Sequence, residues 1–267
     1  MIKLPKKETL ELKLENTWLT IKLNRPESRN ALSKKLIEDL SDVLNGISNN
    51  LSIRGITFRG KGGVFCAGAD IKELKTIFSE GKTKKEISNY SMEVGRFFAL
   101  ISNLPQITLM VVEGAAIAGG FGLACTGDFV IAHKDARFSL AETKIGLTPA
   151  QISPYVIQRL GFFKGRQLML TAAQINGTEA AKIGLADFVG DNKDELDILE
   201  QRLKKQVLNC APGALAETKR LISAIPYTPK KEMVTIAGES FANCILSDEG
   251  YEGISSVLEK RQPSWAK

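Results

Sequence analysis

The stretch Thr108-Leu109-Met110-Val111-Val112-Glu113-Gly114-Ala115-Ala116-Ile117-Ala118-Gly119-Gly120-Phe121-Gly122-Leu123 decides the reading of the fold. The run Thr108–Val112 reads as a buried strand, and the residues from Gly114 to Gly122 lead from it into a helix. Small residues let a ligand come close to the main chain. A helix N-terminus presents N–H groups with no partner inside the helix. A second hinge of the same kind, Phe65-Cys66-Ala67-Gly68-Ala69-Asp70-Ile71, lies between the strand Ile53–Arg59 and a helix starting near Asp70. Two such ends facing one another suit a carbonyl oxygen that becomes an oxyanion, where one donor is worth about 2.7–4 kcal/mol. The glycines do not form G-x-G-x-x-G, and no G-x-x-x-x-G-K-[ST] occurs, so nucleotide-fold readings lack support.

Working outward, Leu10, Leu12 and Leu14 alternate with polar neighbours, as do Leu19, Ile21 and Leu23, which predicts two half-buried strands joined at Asn16-Thr17. Ser33 can cap a helix carrying Leu36, Ile37, Leu40, Val43, Leu44 and Ile47 at helical spacing. An amphipathic helix over about 86–102 is punctuated by Pro105. Phe129–Ala132 and Arg137–Ser139 read as strands, and a helix falls within Ile152–Leu160. Strand, helix and strand in sequence suggest βα crossover units. From Asp194 onward the pattern is predominantly helical, broken at Pro212, Pro226 and Pro229. This divides the chain into an α/β core over 1–200 and a helical section over 201–267.

Composition narrows the class. Of the 267 residues, 43% are apolar and 25% charged, which is ordinary for a globular protein. Lys plus Arg total 36 against 30 for Asp plus Glu, a net charge of +6. That suits an anionic partner, and is equally common in proteins with none. Lys82-Thr83-Lys84-Lys85 has no aromatic alongside for base stacking, so nucleic acid is not an expected partner. No apolar run approaches the roughly 20 residues that span a bilayer. Cys66, Cys125, Cys210 and Cys244 include no C-x-x-C pair, so neither a disulfide framework nor a metal site is expected. With no secretory signal at the start, they point to a cytoplasmic protein. The single histidine, His133, follows an apolar run and reads as a surface loop residue, which excludes a Ser–His–Asp triad.

Several segments in order then carry a resemblance that one glycine cluster would not. Asn24-Arg25-Pro26-Glu27 with Asn30-Ala31-Leu32, then Phe65 to Asp70, Gly114 to Asp128, Phe138 to Gly146, and Leu258-Glu259-Lys260-Arg261-Gln262-Pro263 resemble the crotonase (enoyl-CoA hydratase/isomerase) superfamily. The resemblance covers nearly the whole chain. It implies a crotonase-like (ClpP/crotonase) spiral of βαβ units, with a C-terminal helical region used in homotrimer or hexamer assembly. It also implies an acyl-CoA ligand and no cofactor beyond the coenzyme A of the substrate. By position, the N–H groups of Ala69 and Gly119 form the oxyanion hole and Glu142 is the catalytic acid–base. Ala67, Asp70 and Ile71 lie along the coenzyme A, Gly120 and Gly122 belong to the substrate-binding loop, and Arg25 is a candidate for a phosphate contact or for solvated surface.

Two departures from the family pattern bear on the reaction. Hydratases of the superfamily generally use two glutamates. Here the second is Glu142, while Gly122 occupies the place of the first. A lone carboxylate can serve as acid and base in turn if burial raises its pKa. Second, Gly146-Leu147-Thr148-Pro149-Ala150-Gln151-Ile152-Ser153-Pro154-Tyr155 replaces the usual glycine-rich segment. It resembles a branch acting on branched glutaconyl-type acyl-CoAs in leucine or acyclic-terpene degradation. Gln151 has two readings there, holding a water or a polar acyl group, or capping the helix near Ile152. The leading expectation is a hydratase adding water to a medium or branched enoyl-CoA. The alternatives are a Δ3–Δ2 enoyl-CoA isomerase and a non-catalytic acyl-CoA-binding relative.

Overall fold

The structure, a computed structural model, describes residues 4–266. The chain opens with an antiparallel pair, β1 (Leu10–Glu15) and β2 (Trp18–Leu23), with Leu10 opposite Leu23. Helix α1 (Lys34–Ile47) follows, and the Ser33 hydroxyl accepts the Leu36 N–H at 3.2 Å as its cap. Its buried stripe, Leu36, Leu40, Val43, Leu44 and Ile47, enters the main core. Next come β3 (Gly55–Gly60), α2 (Ile71–Ser79), α3 (Lys84–Ser102), β4 (Ile107–Val112), β5 (Ala115–Ile117) and α4 (Gly119–Cys125). Then follow β6 (Phe129–His133), β7 (Arg137–Ser139), α5 (Ser153–Thr171), β8 (Gln174–Ile175), α6 (Gly177–Lys182) and β9 (Phe188–Gly190). Helices α7 (Lys193–Leu208), α8 (Pro212–Ala224), α9 (Lys230–Ile245) and α10 (Asp248–Leu258) complete the order.

Two sheets alternate along the chain. The larger has the order β1-β2-β3-β4-β6-β9, parallel from β2 onward, and the smaller has β5-β7-β8. Each circuit lays one strand in the large sheet, a short extended piece in or beside the small one, and then a helix. Thus β4 leads to β5 and α4, and β6 leads to β7 and α5. The same path is begun by β3, where Cys66 bridges to Ala116, and by β2, where Leu32 bridges to Ala69. The result is the expected α/β spiral. It also explains the buried character of β4, which has parallel neighbours on both edges and is buried at all six positions.

A charged cluster locks the back of the large sheet to α7. Arg59 on β3 is almost fully buried and meets Glu113 at 2.8 Å, Glu200 at 2.6 Å, and Asp197. Glu200 also pairs with Lys204 and accepts the Thr57 hydroxyl at 2.7 Å. Glu113 is thereby committed to Arg59 rather than to the hinge that follows it. Removing one member leaves buried charge without its partner. Arg59→Met is therefore expected to lower unfolding stability by about 3–5 kcal/mol, read as a fall in the urea midpoint.

The expected division into 1–200 and 201–267 falls within α7 (Lys193–Leu208). Leu196, Leu203 and Val207 of that helix pack with Leu109, Val111 and Ile131 of the large sheet. The helices beyond Leu208 are tied back as well. Lys219 of α8 donates to the Asp128 carboxylate at 2.6 Å and to the Gln106 carbonyl at 2.7 Å. Asp128 in turn accepts the Thr108 N–H at the start of β4.

Candidate active site

The two small-residue hinges meet. Cys66 N–H donates to the Ala115 carbonyl and Ile117 N–H to the Cys66 carbonyl, both at 3.0 Å. These bonds lay Phe65–Asp70 alongside Ala115–Gly119. Gly68 has φ of +90°, and a methyl group there would stand 2.8 Å from the Ile117 carbonyl oxygen and 3.2 Å from the Gly119 nitrogen. Only glycine permits that backbone and that approach. Across from it, Ala118 holds φ 51° and ψ −121°, an unusual conformation for a residue with a Cβ. Its N–H is fixed on the Ser139 carbonyl at 2.8 Å, and its strain sets the direction of the next amide, Gly119, the first residue of α4. Among the described residues the N–H groups of Ala69 and Gly119 make no hydrogen bond. Two adjacent free amides, one at a helix start, form a site for an oxygen carrying negative charge.

A cavity of about 340 Å³ opens in front of them and is lined by Ala69, Gly119, Glu142 and Gln151 together with apolar residues of α1, α2 and α3. Glu142 begins a 3-10 turn over Glu142–Ile145, ended by Gly146 in the left-handed region. Its Oε2 is buried with no hydrogen-bond partner, and it has no ion pair among the described residues. Burial pushes the carboxyl above its ordinary range, only partly offset by its own backbone N–H. Such a group holds a proton more readily than an exposed carboxylate, which suits it to take one up and return it.

The raised pKa has a consequence for stability. The folded state favours the neutral carboxyl, so this group's stabilisation is full below the ordinary value of 4.5 and is lost as pH rises through the higher folded value. Glu142→Gln, which keeps the shape without the charge, is expected to raise the melting temperature at pH 8 and to leave it nearly unchanged at pH 4. Thermal scans across that range check the sign.

The other candidate residues fall outside the cavity wall. Asp70 caps α2, accepting the Lys72 N–H at 3.0 Å, and pairs with Arg25 at 3.0 Å. Burial opposes its charge, but Arg25 and Lys72 outweigh that and hold its carboxyl below the usual range. Arg25 also donates to the Ala31 carbonyl at 2.7 Å, so its guanidinium braces the Asp70 end of the Phe65–Ile71 hinge. Ala67 is half-buried within that hinge, and Ile71 is 61% exposed at its outer end. Gly120 is buried against the Cys66 carbonyl. His133 ends β6, accepting the Asp135 N–H at 3.1 Å, and does not line the cavity.

Gly122 explains the missing carboxylate. It is buried in α4, and the place of a Cβ there is filled by the side chain of Ile152. The two departures noted in the sequence are thus one feature: the altered segment after Glu142 brings Ile152 into the space that a side chain at 122 would need. Nothing in residue spacing announces that packing, nor the partner of Gln151, which is Ser91 on α3 at 3.0 Å. Gln151 does not cap α5, whose start at Ile152 has no side-chain cap.

The enoyl-CoA hydratase/isomerase family profile matches residues 13–267. The solved structure of Pseudomonas aeruginosa AtuE is 38% identical and superposes with a TM-score of 0.94, covering 97% of this chain and 100% of that one. An enoyl-CoA hydratase/isomerase from Marinobacter aquaeolei is 36% identical with a TM-score of 0.93, over 97% of this chain and 100% of that one. The mitochondrial methylglutaconyl-CoA hydratase of Mus musculus is 28% identical over 248 residues, 91% of this chain and 77% of that protein. With two facing amides, a buried carboxylate and a profile that spans almost all of its length, the chain belongs to the enoyl-CoA hydratase/isomerase (crotonase) family and is an enzyme of the lyase or isomerase type.

Proposed function

We propose that the enzyme adds water across the α,β-double bond of a medium or branched enoyl-CoA. The observation that carries this is the placement of Ala69, Gly119 and the unpaired Glu142 carboxyl around one cavity. The thioester oxygen accepts the two N–H groups. Glu142 takes a proton from water as the water oxygen bonds to the β-carbon, and the electron pair moves through the α-carbon to the thioester oxygen. The resulting enolate collapses as the Glu142 carboxyl returns its proton to the α-carbon, leaving a 3-hydroxyacyl thioester and the carboxylate ready again. Charge develops on the oxygen that the amides hold, so they bind the enolate more tightly than the substrate. The steps draw on no group beyond the coenzyme A of the substrate.

A second reading, isomerisation of a Δ3-enoyl-CoA to the Δ2 isomer, is favoured by Ile152 standing where a second acid would be. Proton removal at the α-carbon and return at the γ-carbon need one carboxyl only. Crotonyl-CoA or 3-methylglutaconyl-CoA separates the two by loss of conjugated-enoyl absorbance, and a 3-enoyl-CoA by its gain. Hydration is the reading if loss dominates. It is overturned if only the gain is seen.

The proposal extends to assembly and compartment. Helices α9 and α10 and the turn between them expose Val234, Phe241, Leu246, Tyr251, Val257 and Leu258, with Leu246 86% exposed. An apolar surface of this kind marks a protein interface, which supports a homotrimer or hexamer. Four free thiols among the described residues support a cytoplasmic, reducing environment.

A further inference from the structure

We propose that Tyr90 on α3 sets the length of the acyl chain that the enzyme accepts: its side chain closes the acyl chamber against a second groove, between α1 and α3, that would otherwise prolong it. This rests on the acyl-CoA reading above and deepens it by naming the side chain that stops the far end of the acyl group. Ile37, Tyr90 and Val94 line both the chamber and the groove, so these three side chains form the partition between them. Tyr90 is the largest of the three and is half-buried. The groove behind it has a volume of about 410 Å³, against about 340 Å³ for the chamber itself.

The groove is able to take hydrocarbon. Ile37, Val94, Phe97 and Leu100 make its floor, and all four pack on the main core. Its charged residues, Lys34, Glu38, Asp42, Glu93 and Arg96, are exposed and stand at the rim. A third opening, of about 450 Å³ between α2 and α3, also touches Tyr90, together with Ile77 and Ile87. Glu73, Glu80, Glu86 and Glu93 line it, and an alkyl end entering there would take water away from carboxylates. The side between α1 and α3 is therefore the one that a longer chain would follow. Among the described residues the Tyr90 hydroxyl has no hydrogen-bond partner, so the ring acts as a stop by its bulk. Each methylene that the chamber buries is worth about fourfold in affinity. One that meets the ring adds nothing, because a packed wall does not yield without cost.

The test is calorimetric binding of saturated, unreactive thioesters to the full-length protein: butyryl-, hexanoyl-, octanoyl-, decanoyl- and dodecanoyl-CoA. Affinity for the wild type should climb about tenfold or more per step and then level off within the series. Tyr90→Ala should carry the rise at least one step further, so that it binds the first thioester beyond the wild-type limit about tenfold more tightly than the wild type does. Tyr90→Phe should keep the wild-type limit. Ser41 lines the groove one turn along α1 from Ile37, and adding Ser41→Trp to Tyr90→Ala should bring the limit back. Val94→Ala thins the same partition and should also move the limit outward, which keeps the test open if Tyr90→Ala fails to fold. Affinity that climbs through the whole series in the wild type overturns the proposal. So does a limit that Tyr90→Ala leaves in place, one that moves in Tyr90→Phe, or an extension that survives Ser41→Trp. A series in which no thioester binds better than coenzyme A itself would overturn the acyl-CoA reading and this inference with it. A limit that moves as expected, without turnover of any enoyl thioester, would sink the reaction proposed above and leave Tyr90 in its role.

Discussion

Glu142→Gln is expected to reduce the turnover of the enzyme about 10³-fold or more while changing the affinity for an unreactive acyl-CoA by less than about threefold. Acid–base catalysis by one placed group contributes about 10²–10⁴-fold, and here a single carboxyl carries both proton transfers. The amide of glutamine has the same outline and cannot accept the proton. Substrate binding survives because the Ala69 and Gly119 amides and the cavity wall are untouched. Turnover and calorimetric affinity, measured on the same preparation, check the two halves of the statement. A variant retaining more than a tenth of the wild-type rate would remove Glu142 from the mechanism.

The second large effect concerns the place where a second acid is absent. Gly122→Glu should destabilise the fold by about 1–3 kcal/mol, the usual cost of forcing extra atoms into a packed core. The first added atom already collides with Ile152. Adding Ile152→Ala to Gly122→Glu should recover at least half of that loss, whereas Ile152→Ala alone should cost stability through the cavity it leaves. The non-additivity, about 1–3 kcal/mol in a double-mutant cycle, is the signature of direct contact. Additive losses in chemical denaturation would show that position 122 is vacant for some other reason.

Much of this arrangement is visible in residue order. The leucine alternation in β1 and β2, the Ser33 cap and the stripe of α1 are local patterns, and local patterns survive folding. The helix expected within Ile152–Leu160 is present, but it continues to Thr171 past Gly161, whose φ of 71° breaks it just where the expected element ended. Strands β5, β8 and β9, of two or three residues, carry no alternation that marks them in the sequence, although β7 of the same length is read there. They become strands only when the spiral supplies a partner edge.

The site divides in the same way. Hinge composition and family position single out Ala69, Gly119, Glu142 and Gln151, and all four line one cavity. The sequence reading puts Asp70 along the coenzyme A and Arg25 at a phosphate or at solvated surface; in the structure the two pair with each other at 3.0 Å, a contact across 45 residues that composition cannot display. Ile152 over Gly122 and Gln151 against Ser91 depend on how α3 and α5 approach α4, which is a property of the packed molecule.

The most direct measurement is a crystal structure of the enzyme with a saturated acyl-CoA bound. The expected result places the thioester oxygen about 2.7–3.1 Å from both the Ala69 and Gly119 nitrogens, with the Glu142 carboxyl beside the α- and β-carbons. A thioester oxygen bound elsewhere, or a Glu142 side chain turned to solvent in that complex, would contradict the central claim.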